Sequence, residues 1–270
     1  MKQIRIGRLA VSELGFGTAG LALPYKGKEP PEDIEAIAIL HKAIEVGINF
    51  FDTAPTYSSE SLVGIAVGDN HSMCVATKFS RNNWRDSIER SLALLRHVDI
   101  FQLHNASGAD AALLRMVRMY LREVHAWDGL VGATVYDPEG EGRPLLESGS
   151  IDLLQVPFNF FDQRAASLFE DARQRGVAVV LRSALLGGRF AADTEESRRL
   201  LAVLDSTLEM LPVHAIRFAL NTGKPVLVGI NSRAELFAAL EAVNLGPLAG
   251  DFTSLAVNDL DLIDLRRRTA

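Results

Sequence analysis

Eight times along the chain a short apolar run gives way to a loop and then to an amphipathic stretch, and this alternation leaves few folds open. The runs fall at 14–18, 48–51, 74–77, 98–103, 130–135, 153–156, 177–181 and 226–229. After the first of them a loop with Pro24, Pro30 and Pro31 ends at the helix-starting acids Glu32 and Asp33, and Ile34, Ile37, Ala38, Leu40, His41 and Ile44 follow at helical spacing up to Gly47. Further helices are predicted near 60–67, 84–96, 110–126, 138–148, 163–175, 195–221 and 233–244. Runs that are apolar throughout belong to parallel strands covered on both faces. Eight such units, with no Gly-x-Gly-x-x-Gly after the first strand, predict an α/β fold of the closed (β/α)8, TIM-barrel type over an open dinucleotide-binding sheet. Ahead of the barrel, 3–6 and 9–11 read as a hairpin turning near Gly7. No linker interrupts the pattern, so 1–270 is expected to be one domain. The last segment, 248–270, has helical character at 260–265 and is expected on the barrel exterior or its lower rim.

Composition narrows the function classes. A length of 270 residues suits one such barrel, which runs to about 250. Net charge is −6, and the single basic run, Arg266-Arg267-Arg268, reads as a solubilising end, so a nucleic-acid partner is not expected. Cys74, the lone cysteine, is expected to pack as a buried strand residue. No apolar run approaches the roughly 18 residues of a membrane span, and no N-terminal signal region is evident; a cytoplasmic protein is the expectation. Oligomeric state is not set by these features.

On such a barrel the chemistry sits at the C-terminal ends of the strands. Asp52, Lys78 and His104 each follow an apolar run directly, and Tyr57 lies on the loop after Asp52. Singly, each is more simply a solvated or hydrogen-bonded structural residue. On strands 2, 3 and 4 in succession they form a set suited to giving a proton to a carbonyl oxygen. A lysine ammonium beside a phenol favours the phenolate. Asp52 would hold and aim Lys78, while His104 would orient the carbonyl. Metal-assisted hydrolysis fits poorly, because neither a His-x-His pair nor a lysine bridge between carboxylates is present at the strand ends.

The motifs Phe51-Asp52-Thr53-Ala54-Pro55-Thr56-Tyr57 with Glu60 and Gly64, Ala76-Thr77-Lys78-Phe79, and Asp99-Ile100-Phe101-Gln102-Leu103-His104-Asn105 together resemble the aldo-keto reductase superfamily, in its bacterial type. Leu14-Gly15-Phe16-Gly17-Thr18, Gln155-Val156-Pro157-Phe158-Asn159 and Val226-Leu227-Val228-Gly229-Ile230-Asn231-Ser232 extend the resemblance over nearly the whole chain. It implies an NAD(P)H-dependent oxidoreductase that reduces an aldehyde or ketone without a metal. Asp52, Tyr57, Lys78 and His104 would be its catalytic tetrad, with Tyr57 the general acid. It further implies that Thr18 and Asp52 lie by the nicotinamide, that Thr134 and Gln155 bind its carboxamide, and that Ser183, Leu185 and Gly187 line the pyrophosphate. Ile230, Asn231, Arg233 and Glu235 would surround the adenosine end.

The chain departs from the family pattern at several places. Ser58 stands where glycine usually follows the tyrosine, and Thr134-Val135 where many members have Ser-Asn. Arg182 replaces a tyrosine that stacks on the nicotinamide; a guanidinium can also stack there. Glu235, with Arg233 close by, stands where NADPH-preferring members place a base, so NADP(H) rests on the family's habit and NAD(H) is the alternative. The spacings from Tyr57 to Lys78 and from Lys78 to His104 are shorter than the family norm. A nucleotide-sensing or regulatory protein on the same barrel is the competing reading. A lyase or isomerase would need a fuller phosphate loop than Gly187-Gly188.

Overall fold

The computed structural model describes residues 1–25 and 27–267. Strands β1 (Gln3–Ile6) and β2 (Leu9–Ser12) form an antiparallel hairpin. Its turn uses Gly7 at φ 55°, a left-handed conformation that costs glycine little. Eight parallel strands follow: β3 (Leu14–Gly17), β4 (Phe50–Asp52), β5 (Cys74–Phe79), β6 (Ile100–Leu103), β7 (Leu130–Thr134), β8 (Leu153–Pro157), β9 (Ala178–Arg182) and β10 (Val226–Gly229). Pairing of β10 with β3 closes them into a barrel, as the alternation predicts.

Around it lie α1 (Asp33–Glu45), α2 (Glu60–Val67), α3 (Trp84–Leu95), α4 (Ala111–His125), α5 (Arg143–Glu147), α6 (Phe169–Gln174), α7 (Glu195–Leu201), α8 (Leu211–Leu220) and α9 (Arg233–Leu245), with α10 (Leu260–Ile263) near the end. Three expectations change. The single helix expected over 195–221 is two, because α7 ends after two turns and α8 restarts with Pro212 in its first turn, where a residue without an N–H is tolerated only at a helix start. The helix expected over 138–148 opens as a π-helical turn, Pro138–Gly142, before α5. Of the two places expected for the tail, exterior or lower rim, the lower rim is not the one found: Arg266 pairs with Glu141 at 2.8 Å and lies 4.5 Å from the Tyr136 ring, beyond the C-terminal end of β7. Arg267 contacts Asp261, and Arg268 lies outside the described residues.

The two-residue period of a strand divides the core in two. Phe50, Cys74, Ala76, Ile100, Leu153, Val180 and Leu227 point inward and fill the lumen, where Ile6 and Val11 of the hairpin join them as a plug. Their neighbours Phe51, Val75, Phe101, Val131, Leu154, Val179 and Val228 point outward into the helix layer. Cys74 is thus a buried strand residue, as expected. Continuing the inward parity brings up Asp52, Lys78, Gln102, Thr134, Gln155 and Arg182 as the upper layers of the lumen.

Between α2 and α3 the backbones meet at Gly64, where an added Cβ would stand 1.9 Å from the Leu94 carbonyl oxygen. Beside it Glu60 accepts hydrogen bonds of 2.7 Å from both Thr77 and Ser91, joining α2, β5 and α3. Because backbone cannot rotate aside as a side chain can, Gly64→Ala is expected to destabilise the fold by about 3 kcal/mol or more in urea unfolding. Gly149→Ala, strained in φ but facing open space, is expected to cost only about 1 kcal/mol. Equal losses would place the α2–α3 contact elsewhere.

Candidate active site

Asp52 ends β4 and Lys78 lies near the end of the adjacent β5, both on the inward parity. The Lys78 ammonium donates to Asp52 Oδ2 at 2.5 Å and to the Thr53 carbonyl at 2.8 Å, with side-chain exposures of only 1% for Lys78 and 6% for Asp52. Burial alone would push the ammonium's pKa down. The Asp52 carboxylate and Tyr57 phenol outweigh it, and the net shift is upward. Lys78 therefore stays charged. The other oxygen of Asp52 accepts from two amides, Gln102 Nε2 at 3.0 Å and Gln155 Nε2 at 2.9 Å, and Gln155 also donates to Gln102 Oε1 at 3.2 Å.

Tyr57 reaches this pair from a single 3₁₀ turn, Pro55–Tyr57, that starts on extended Ala54. Proline fixes the turn's first φ, and Tyr57 N–H donates to the Ala54 carbonyl. Ser58 then adopts φ 57°, ψ 10°, the left-handed conformation in which glycine is favoured. Its serine accepts a strain of about 1 kcal/mol to keep the turn. The turn leaves the Lys78 ammonium 4.8 Å from the Tyr57 ring centroid. Below it, Ser59 Oγ lies 2.9 Å from Thr18 Oγ1 and 3.1 Å from Thr53 Oγ1, and Thr18 donates to the Asp52 carbonyl.

His104 follows β6 two residues beyond Gln102, so it shares the inward parity. Its ring stands edge-on to Tyr57, with centroids 6.0 Å apart and planes at 90°. Desolvation, then the Lys78 charge and, less strongly, that of Arg182 lower its pKa to about 4 against an opposing pull from Asp52. The imidazole is accordingly neutral at pH 7.

The four residues singled out in the sequence thus come together. Thr134 and Gln155 lie in the same lumen, each bonded to a neighbouring residue. Thr134 Oγ1 accepts from Asn105 N at 3.0 Å and fixes the loop that bears His104, while Gln155 holds Asp52. Val135 is buried in the helix layer. Arg182 stacks on a protein ring, 4.3 Å from the Tyr136 centroid, and donates to the Val135 carbonyl and to Ser183 Oγ. Ser183 (φ 61°), Leu186 (φ 49°), Gly187 (φ 67°) and Gly188 (φ 91°) bend the chain sharply after β9, with Leu185 inside the bend. Asn159 braces that corner by donating to the Ser183 carbonyl.

Across β10, Ile230 is buried and Asn231 lies so near Gly20 that an added Cβ there would stand 2.5 Å from its amide. Arg233 opens α9. Glu235 accepts from Asn231 N–H at 2.7 Å through one oxygen and from Lys28 at 2.5 Å through the other. Gln102, Lys28 and Tyr136 are absent from the sequence-based set. Gln102 had a readable signal, inward parity between Lys78 and His104; Lys28 and Tyr136 stand on loops, where no periodicity applies. An open depression of about 520 Å³ beside Arg85, Met116 and Tyr120 lies on the outer helices and holds none of these groups.

The aldo/keto reductase family model matches residues 13–136, the stretch that supplies Asp52, Tyr57, Lys78 and His104. An uncharacterized oxidoreductase of Bacillus subtilis, YqkF, is 31% identical over 129 residues, 40% of this chain and 41% of that protein. The chloroplastic pyridoxal reductase of Arabidopsis thaliana is 28% identical over 201 residues, 65% of this chain and 49% of that one. The chain thus spans less than half the length of these two relatives. In fold, the holo form of aldo-keto reductase AKR11C1 from Bacillus halodurans is similar with a TM-score of 0.78 at 22% identity, over 99% of this chain and 100% of that one. Residues 13–136 thus match the aldo/keto reductase family model, and the barrel is similar in fold to that of solved aldo-keto reductases.

Proposed function

We propose that the chain is a reductase that delivers hydride from a nicotinamide nucleotide to an aldehyde or ketone, with Tyr57 as the proton donor. The supporting observation is the buried Lys78–Asp52 pair set against the Tyr57 ring, with neutral His104 edge-on to the same ring. When Tyr57 gives up its proton, the phenolate is left beside a charged ammonium in a site of low dielectric, where attraction is strong. Asp52 keeps Lys78 in place, and the Gln102 and Gln155 amides keep Asp52 from turning. Neutral His104 can donate one N–H to the carbonyl oxygen and so orient it.

The residues present suit a nicotinamide nucleotide. At Gly188 and Gly229 the space of a side chain is open, and the bend at 183–188 allows close backbone approach of a phosphate. Thr18, Thr134 and Gln155 would border the nicotinamide, Ser183, Leu185 and Gly187 the pyrophosphate, and Ile230, Asn231, Arg233 and Glu235 the adenosine. Bound there, the nucleotide supplies the hydride. We assign NADPH over NADH on the Lys28–Glu235 pair: the acid that would repel a 2′-phosphate already faces an ammonium, and Arg233 adds a second cation. Single-domain organisation and a cytoplasmic setting complete the reading.

Titration with NADPH and NADH, then cofactor oxidation with a panel of aldehydes, tests this reading. Binding of neither nucleotide defeats it, and binding without turnover of any aldehyde favours a nucleotide-sensing protein. Tyr57→Phe should lower kcat by about 10²- to 10⁴-fold while leaving the Kd for NADPH nearly unchanged; unchanged turnover would remove Tyr57 as the acid. Lys28→Ala should weaken NADPH about tenfold and NADH less than about twofold, and equal losses would detach Lys28 from the phosphate. For His104 the folded pKa lies below the unfolded value, so the unfolded chain takes up the proton first. Its stabilising contribution is complete above pH 6.5 and is lost as pH falls through about 4. An NMR titration should place the His104 midpoint near 4; a midpoint near 6.5 would mean the imidazole is solvated.

A further inference from the structure

Three arginines meet at Tyr136, two over its ring and one at its carbonyl, and they are neutralised unequally. Arg266 lies 4.5 Å from its centroid and is paired with Asp264 at 2.7 Å and Glu141 at 2.8 Å. Arg164 donates to the Tyr136 carbonyl and is paired with Asp162 at 2.8 Å, with Asp137 at 3.6 Å. Arg182 lies 4.3 Å from the ring centroid, and among the described residues no carboxylate pairs with it. Its partners are neutral oxygens: NH1 donates to Ser183 Oγ at 3.0 Å and NH2 to the Val135 carbonyl at 2.8 Å. A guanidinium has five N–H donors, so three remain.

The position of this cation is fixed. Arg182 ends β9 opposite Pro157 of β8, on the inward parity. Its bond to Val135 takes the guanidinium across the end of β8 to that of β7, where Thr134 holds the loop bearing His104. Its charge is felt at the imidazole, and also at Tyr25, whose phenol is pushed up first by burial and then by Tyr57 and Tyr136, against the pull of Arg182. Tyr57 and His104, 6.0 Å apart, and Tyr136 and Arg182, 4.3 Å apart, all stand at the C-terminal ends of the barrel strands, around the same mouth of the lumen. There Lys78 is paired with Asp52 and His104 is neutral, whereas Arg182 has no carboxylate partner among the described residues. A half-buried cation without a counter-ion is unfavourable by itself, and its planar fork suits a carboxylate or phosphate.

We propose that Arg182 is a specificity-determining residue that binds an acidic group on the substrate, so that the carbonyl compound reduced at Tyr57 carries a carboxylate or phosphate. This rests on the reductase reading and adds the substrate's charge to it. The Val135 and Ser183 contacts hold the guanidinium against the rim while its free N–H groups take the acid, and the carbonyl end reaches Tyr57 and His104. Such an anion would also offset the repulsion between Arg182 and an oxidised, cationic nicotinamide.

The test compares kcat/KM for matched pairs, 4-oxobutanoate against butanal and glyceraldehyde 3-phosphate against glyceraldehyde; the pair with the larger ratio tells carboxylate from phosphate. The wild-type protein should prefer the acidic member of at least one pair by about 10- to 100-fold, chiefly through KM. In Arg182→Leu that ratio should fall to about one, with Arg182→Lys between. Succinate should compete with butanal in the wild type, a readout that needs no variant to fold. A wild-type ratio near one for both pairs would overturn the proposal. So would an Arg182→Leu protein that keeps its ratio but loses about tenfold in NADPH affinity, since the cation would then belong to the nucleotide. If the wild type reduces no aldehyde, the reductase reading fails separately. Calorimetric binding of 4-oxobutanoate and of glyceraldehyde 3-phosphate to the wild type, lost in Arg182→Leu, would still establish the acid site; absence of binding by both would reject it.

Discussion

The ion pair between Lys78 and Asp52 is the interaction around which the upper half of the barrel is arranged. Two charges so thoroughly removed from water are costly, and their attraction recovers that cost only when the remaining donors and acceptors are also satisfied. The structure meets the condition with side chains of the same layer. Gln102 and Gln155 occupy one carboxylate oxygen, Lys78 the other, and the Thr53 carbonyl takes a second ammonium proton. Four strands, β4, β5, β6 and β8, are committed to one pair of charges. A hydrophobic substitute would fill the same space with less desolvation, so stability alone does not explain the pair.

Much of this was legible in the sequence because a strand has a period of two. Once Asp52, Lys78 and His104 are placed at strand ends, the barrel brings them to one side of the lumen, and the apolar residues two or four positions earlier become the plug beneath. The same rule, applied one step further, would have found Gln102. It also bears on Thr134 and Gln155, which lie on the inward parity, where Thr134 Oγ1 accepts from Asn105 and Gln155 Nε2 donates to Asp52. Residue type and parity give position; they do not say which of two nearby acceptors an amide will choose.

The remainder was illegible for a different reason. Lys28 meets Glu235 across 207 positions of sequence, and Arg266 meets Glu141 across 125. Both contacts join loop or tail to the rim of the barrel, and neither leaves a periodic trace. The predicted helix over 195–221 failed on local chemistry: Thr194 and Ser197 cap α7 reciprocally, yet that helix stops at Leu201, and the apolar spacing merely resumes in α8. Periodicity continues through such a break because both helices bury one face against the same wall.

Rim and lumen solve their electrostatics in opposite ways. In the lumen each charge is matched by its counterpart and by neutral amides, which keeps the layer rigid and Lys78 protonated. At the rim Tyr136 offers a flat face to two guanidinia, and carboxylates neutralise only the one contributed by the tail. Had Asp264 or Glu141 lain beside Arg182, that guanidinium too would have been neutralised by a carboxylate. The tail thus delivers its own arginine together with Asp264, so that Arg266 adds packing on Tyr136 without adding a second uncompensated charge. The selectivity of the opening is left to Arg182.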